Sequence, residues 1–409
     1  MAGNNLVDIE STTGGSASGS WATVPDLSAS GITVQSTSSV VLLIATVTIA
    51  DQSTDNGADF RFSVNGSPTG SPIGRAGSDS INSESYSMTL VWAVDGLSGS
   101  SNSFALEWIT TTGSGATPAI ETANPHTLQV IEIENGASIL VDESSTGSAT
   151  SAATLANLFQ ATGVDVAGTD SILLMIGIVP MEYNGDAGVS FVFGVDNTAE
   201  GAQVAVAVDD TQFDNSFCGM HVKTGISGTH TFELKWQTDV GANSPVSTEH
   251  LRTFQIVEIT ADCSILASLS ATSSWSPGAS FANDPSLDTD QTPNGTDSLV
   301  LAFANVSLTP DSGDDILEFA IGLNDTEDGP YTRCFNDDVD MATGCCVAKA
   351  WTGLSGSNSF QLRGRFQQGT TGVDTGYSRT LFVLDFETAA GGGTPVPVFR
   401  EHYRMMKAA

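Results

Sequence analysis

The sequence predicts an all-β protein built as three tandem antiparallel β-sandwich domains. The first observation is a repeat. Gly96-Leu-Ser-Gly-Ser-Ser-Asn-Ser-Phe-Ala-Leu-Glu-Trp108 returns as Gly225-Ile-Ser-Gly-Thr-His-Thr-Phe-Glu-Leu-Lys-Trp236, and again as Gly353-Leu-Ser-Gly-Ser-Asn-Ser-Phe-Gln-Leu-Arg363. The copies lie about 130 residues apart, too long for a solenoid unit and the length of a whole globular domain. The second is punctuation: Gly, Ser and Thr interrupt the chain every eight to twelve residues or so, between short β-branched apolar runs. The third is alternation. Phe104, Leu106 and Trp108 fall on one face of a period-two segment, with Ser103, Ala105 and Glu107 on the other.

Each element of the repeat follows in order. Ser39-Val-Val-Leu-Leu-Ile44, Ser171-Ile-Leu-Leu-Met-Ile176 and Ser298-Leu-Val-Leu-Ala-Phe303 are continuously apolar, as a strand covered on both faces should be. Phe60-Arg-Phe-Ser-Val-Asn65 answers to Phe191-Val-Phe-Gly-Val-Asp196 and Phe319-Ala-Ile-Gly-Leu-Asn324. The G-[LI]-S-G segment puts glycine where a tight turn needs positive φ or no side chain. A closing strand reads His126-Thr-Leu-Gln-Val-Ile-Glu-Ile133, Arg252-Thr-Phe-Gln-Ile-Val-Glu-Ile259 and Arg379-Thr-Leu-Phe-Val-Leu-Asp-Phe386. Its recurring carboxylates, Glu132, Glu258 and Asp385, are expected to face solvent, with an inter-domain contact as the alternative. The boundaries follow: repeats at 1–136, 137–262 and 263–388, then 389–409 as a Gly/Pro linker and basic C-terminal arm. Only that end hints at a helical period.

Composition excludes several function classes. A net charge of −34 with 13 Lys and Arg argues against nucleic acid and against anionic lipid, both of which attract cations. It suits solubility at high copy number and a saline setting. Met1 to Glu10 lacks the basic start and apolar core of a signal peptide, so synthesis in the cytoplasm is expected. The longest apolar stretch, Val40 to Ala50, is too short for a bilayer span.

The strands, the Gly-rich turn, Phe104-Ala-Leu-Glu-Trp108 and the closing strand ending [VI]-[VI]-E-I resemble the jelly-roll domain related to C1q and tumour necrosis factor. Versions of that domain occur in decoration proteins and tail fibres of tailed bacteriophages. The resemblance is best over the second half of each repeat, from about Tyr86 to Ile133 in the first. It implies a jelly roll and threefold association. The chain departs from the family pattern in being triplicated and in lacking a collagen-like or coiled-coil stalk, which points away from a long fibre.

Near-absent connectors, six residues or so that reach ~20 Å, favour an intramolecular pseudo-trimer over a string of beads. The end of the chain carries Val398, Phe399, Arg400, Tyr403, Arg404 and Lys407, a basic and apolar group that reads as a protein-docking arm, or else as an end with no role.

Chemistry is sparse. No G-x-S-x-G, H-E-x-x-H, P-loop or dinucleotide fingerprint is present, so neither catalysis nor a cofactor is expected. Five cysteines make no disulfide framework. Cys218 and Cys346 sit at equivalent strand positions and read as small buried hydrophobes, and Cys334, Cys345 and Cys346 lack metal-ligand spacing. In the third repeat Asp311, Asp314, Asp315, Asp325, Glu327, Asp328, Asp337, Asp338 and Asp340 read as solvated acidic loops, with calcium as the alternative. The expected role is a non-enzymatic virion protein that decorates or cements a capsid, with capsid or other virion proteins as partners. The alternative is a tail-fibre or baseplate receptor-binding protein gripping a host glycan through Trp21, Trp275, Tyr183 or Tyr331. A cell-surface adhesin is third.

Overall fold

The computed structural model describes residues 3–387 apart from 51–55, 70–72, 80–83, 86, 98, 112–116, 135, 147–148, 150–152, 182–186, 209–215, 241–249, 261, 309–314, 328–329, 337–342 and 369–377. Every regular element among the described residues is a strand. The strands form six antiparallel sheets, and each sheet draws all its strands from one sequence repeat.

In the first repeat one sheet runs Gly3–Ser11, His126–Ile133, Val40–Thr48, Ser87–Val94, and the other begins Ala22–Val34, Gly99–Thr110, Asn56–Val64, Gly74–Asp79. Counting the eight main strands in chain order, the sheets read 1-8-3-6 and 2-7-4-5. The strands of residues 137–259 repeat that order, and so do those of residues 263–386. Two Greek keys over two packed sheets make a jelly roll. Even the irregularities recur. The opening strand carries a register shift between Asn5 and Val7, between Ile139 and Val141, and between Ile265 and Ala267. A bulge kept at one position three times is a built feature of the strand, and it sets the local bend.

The turn glycines resolve their own question. Gly96, Gly99, Gly225, Gly228, Gly353 and Gly356 have φ between 66° and 86°, and an added Cβ at any of them would meet nothing within 4 Å. Conformation, not space, requires glycine there. The residue that ends the paired strand, Asn65, Asp196 or Asn324, is also left-handed. Its side-chain oxygen accepts from the amide of Ser103 (2.9 Å), Thr231 (2.9 Å) or Ser359 (2.9 Å). This fastens the hairpin of the paired strand to the glycine-turn strand.

The predicted alternation holds: Phe104, Leu106 and Trp108 are buried, whereas Ser103, Ala105 and Glu107 are half-buried. The all-apolar strands are covered on both faces, as expected. Leu173, Met175 and Val179 pack inside their own sandwich, while Leu174, Ile176 and Ile178 join a second cluster. That second cluster also contains Leu43, Leu301, Phe303 and Leu384, and so draws on all three repeats. Each large aliphatic side chain buried this way contributes about 1.5–3 kcal/mol.

Candidate functional site: the joints between repeats

The polar features that stand out are internal and lie where repeats meet. Gln129 on the closing strand of the first repeat reaches a strand of the third. Its Nε2 donates to the Ala350 carbonyl oxygen (3.0 Å) and its Oε1 accepts from the Ala350 amide (3.0 Å). Gln255, the equivalent residue of the second repeat, grips Ala93 of the first through the same two bonds (2.9 and 2.9 Å). An aspartate on the neighbouring strand orients each amide: Asp8 accepts from Gln129 (3.1 Å), and Asp142 from Gln255 (3.0 Å).

The third repeat keeps the geometry with different residues. Phe382 stands where glutamine stands elsewhere, and Ser268 replaces the aspartate. Asn305 on the adjacent strand takes over, donating to the Met220 carbonyl oxygen (2.6 Å) and accepting from its amide (3.3 Å). Phe382 stacks on Phe303 (5.1 Å) and meets the edge of His221 (5.5 Å). His221 is buried, and desolvation holds its imidazole down at about 4, so it is neutral at pH 7.

A second contact accompanies each amide clamp. Between repeats one and two, Asp59 accepts from Arg75 (2.7 Å) and meets His250 (3.1 Å), while the Arg75 amide donates to Ser216 (2.8 Å). Between three and one, the fully buried Glu318 takes Arg333 (2.6 Å) and Arg365 (2.6 Å), and Asn124 of the first repeat lies at 3.5 Å. Between two and three the carboxylate position is Ser190, bonded to Gln203, and the Ala205 amide donates to Ser307 (3.0 Å). The Thr89 and Thr332 hydroxyls add a bond (3.1 Å) to the three–one joint.

The recurring carboxylates of the closing strand correct the sequence expectation. Glu132, Glu258 and Asp385 are 0%, 4% and 0% exposed, not solvent-facing. Each accepts from a backbone amide in the segment after the second strand: Gln35 (2.7 Å), Ala167 (2.8 Å) and Asn294 (2.7 Å). All three partners are in the same repeat, so the inter-domain alternative fails as well. Burial pushes the Glu132 carboxyl above its usual range. A buried carboxylate that answers a buried N–H removes two desolvation penalties with one bond.

The cations also turn inward. Ten of the 13 precede residue 390. Arg75, Lys235, Arg252, Arg333, Lys349, Arg363 and Arg379 are buried, and Arg61, Lys223 and Arg365 are half-buried. Arg379 makes a fully buried ion pair with Asp284 (2.7 Å). The exposed charge of the described residues is therefore acidic.

The sequence-predicted site residues are not brought together. Trp275 is buried against Phe319 (6.2 Å), which rules it out as an exposed glycan platform. Trp21 is half-buried under the Arg61 guanidinium (3.9 Å). Tyr331 packs on Phe281 (4.7 Å), with Arg365 over both rings. Tyr183 lies outside the described residues, as do Asp311, Asp314, Asp328, Asp337, Asp338 and Asp340, and the arm from 389 onward with Val398, Phe399, Arg400, Tyr403, Arg404 and Lys407. Asp325 accepts from Asn283 (2.8 Å) and Gln361 (3.0 Å), and Glu327 faces Arg363 (3.8 Å). Among the described residues no group of three His, Cys, Asp or Glu side chains could hold a metal ion.

No protein-family model and no curated protein matches the sequence. Solved structures similar to the chain include PNGF-II at 8% identity, covering 83% of this chain and 100% of that one, with a TM-score of 0.24. The tandem CBM22 domains of Paenibacillus barcinonensis Xyn10C match at 13% identity over 64% of this chain and 98% of theirs, TM-score 0.21. A triple jelly-roll protein of the turret of an archaeal virus matches at 9% identity over 94% and 95%, TM-score 0.17. These neighbours include viral jelly-roll and carbohydrate-binding proteins, and no family match ties the chain to the C1q and tumour-necrosis-factor relatives.

Proposed function

We propose that this chain is a non-enzymatic structural protein of a virus particle, a tailed phage or similar virus, acting as a single-chain pseudo-trimer that decorates or cements the capsid. The observation that carries this reading is the order of the joints. The strand Ser87–Val94 of the first repeat takes Gln255 of the second, Ser216–Lys223 of the second takes Asn305 of the third, and Thr343–Thr352 of the third takes Gln129 of the first. Three head-to-tail contacts that return to their start make a closed ring, whereas beads on a string would leave two ends open. Such a body fits a local threefold position of a shell. The inward cations support the same role, since they leave an acidic exterior that suits dense packing in solution.

In this reading the terminal residues Val398, Phe399, Arg400, Tyr403, Arg404 and Lys407 dock on a basic-tolerant, acidic or apolar face of a shell protein. Two measurements test it. The purified chain should be a monomer with a radius of gyration of roughly 22 Å; an elongated monomer or a homotrimer would refute the ring. Peptides of the chain should accompany the major shell protein through a density gradient of the source particles, and deletion of 391–409 should release it. Finding the chain only outside particles would overturn the virion role.

A second reading, a receptor-binding protein for host glycans, is favoured by one observation. Trp21 with Arg61, and Phe281 and Tyr331 with Arg365, pair aromatic rings with guanidinium groups. Glycan-array binding lost in Trp21→Ala would favour it over the shell role.

A further inference from the structure

Four of the five cysteines fall two by two into shared apolar clusters. Cys345 and Cys346 are neighbours on the strand Thr343–Thr352 and so point to opposite faces of its sheet. Cys345 enters the core of the third repeat, which also holds Cys334. Cys346 enters the cluster shared between repeats, which also holds Cys218 of the second repeat. The register agrees. Cys346 lies opposite Asn305, and Asn305 holds the backbone of Met220, two residues along the same strand face from Cys218. The equivalent position in the first repeat is Thr89, which meets the hydroxyl of Thr332 across its own joint.

We propose that Cys218 and Cys346 are the two halves of an inter-repeat disulfide, formed by exchange with a small-molecule disulfide and sealing the joint between the second and third repeats. This goes beyond the virion reading and does not depend on it. One thiolate attacks a sulfur of the small disulfide and expels one thiol, leaving a mixed disulfide. The second thiolate then displaces the remaining half. The balance is two protein S–H bonds lost, one S–S bond formed, and one small disulfide reduced to two thiols. The two sulfurs then close to a bond of ~2.0 Å. The joint concerned lacks both the Asp–Gln clamp and the buried carboxylate of the other two, so a covalent link would act where the polar fastening is lightest.

The neighbouring Cys218, and after it burial, raise the Cys346 thiol well above its usual value, so exchange is slow in the closed protein and fast while the joint is open. Cys334 and Cys345 give an internal ruler, because they lie within one sandwich. Cys263 contacts no other thiol in either pair, and burial pushes its thiol up as well.

The test uses the full chain, reduced, partly opened in urea and returned to buffer with oxidised glutathione. Free thiols are then counted after denaturation, and linked peptides mapped by mass spectrometry without reductant. The expected result is a Cys218–Cys346 link and a thermal midpoint several degrees higher, reversed by dithiothreitol. Cys346→Ala should lose the link and the shift, while retention of the native circular-dichroism spectrum reports that the variant folds. Persistence of both thiols, or capture of Cys346 by any other cysteine, would overturn the proposal even if Cys334 and Cys345 had joined.

Discussion

The joint between repeats two and three differs from the other two in chemistry while keeping their geometry. At the one–two joint a carboxylate meets an arginine and a histidine, at the three–one joint two arginines, and at both a glutamine held by an aspartate grips a strand backbone. At the two–three joint the carboxylate has become Ser190, the glutamine Phe382 and the aspartate Ser268, and His221 packs edge-on to the phenylalanine. The aspartate and the glutamine are lost together. What survives at every joint is the gripped backbone, with Asn305 substituting from the next strand. The backbone bond is the fixed requirement; the side chain that makes it can move.

The largest contrast should come from the carboxylates. Glu318→Ala leaves two arginines facing a buried void and should cost about 3–5 kcal/mol. Ser190→Ala, at the matching place in the two–three joint, should cost about 1 kcal/mol. Denaturant midpoints of both variants measure this, and equal losses would refute the claim that the joints differ in kind.

The next effect is confined to the histidine joint. His221 has a folded value of about 4 against 6.5 for a free imidazole, so the unfolded chain binds the proton more readily between those values. Stability from this group is complete above about pH 6.5 and falls as pH drops toward 4, by up to about 3 kcal/mol. Glu132 acts with the opposite sign, because its carboxyl is raised by burial and the folded state gains as pH falls. The difference between wild type and His221→Phe at each pH isolates the histidine. Parallel pH curves would show that folding leaves the proton affinity of His221 unchanged, which would overturn the buried, neutral imidazole.

The amide clamps come third. Gln255→Leu removes two short bonds to Ala93 and should cost about 2 kcal/mol. Asn305→Leu removes one short and one long bond and should cost somewhat less, read from the same denaturant midpoints. A larger loss for Asn305 would mean that the apolar joint leans on its single amide more than geometry indicates.

Much of this was legible in the sequence, for reasons that particular residues make plain. The turn glycines announced the repeat because positive φ leaves them no substitute, and the Leu173-to-Val179 alternation was masked only because both faces are apolar. That masking misled the reading of Glu132, Glu258 and Asp385. They share strand parity with Leu128 and Val130, with Phe254 and Ile256, and with Leu381 and Val383, all buried. Period two alone would have turned the carboxylates inward. Their partners could not be foreseen, because Gln35 offers only a backbone amide from a distant segment. Gln129 and Gln255 left a faint trace: a polar residue amid an apolar run, lost in the third copy along with its aspartate. The direction in which they reach depends on how the repeats sit together, which no local pattern encodes.

The smallest contrast separates the turns rather than the joints. In the first and third repeats Asn65 and Asn324 donate to Asn102 and Asn358 (3.1 Å each), whereas in the second Asp196 meets His230 (2.7 Å). Both members change together, yet Thr231 keeps its bond to the first. That amide is the largest cause of the lowered Asp196 carboxyl, ahead of the histidine. The backbone bond should therefore matter more than the contact with His230, which is half in solvent and worth under about 1 kcal/mol. Asp196→Asn with His230→Asn, which installs the pair of the other repeats, should leave amide exchange at Thr231 slow. Asp196→Ala should speed it severalfold with little change in global stability. If the alanine variant exchanged no faster, the left-handed residue would be holding its turn by conformation alone, and the side-chain bond would be incidental in all three repeats.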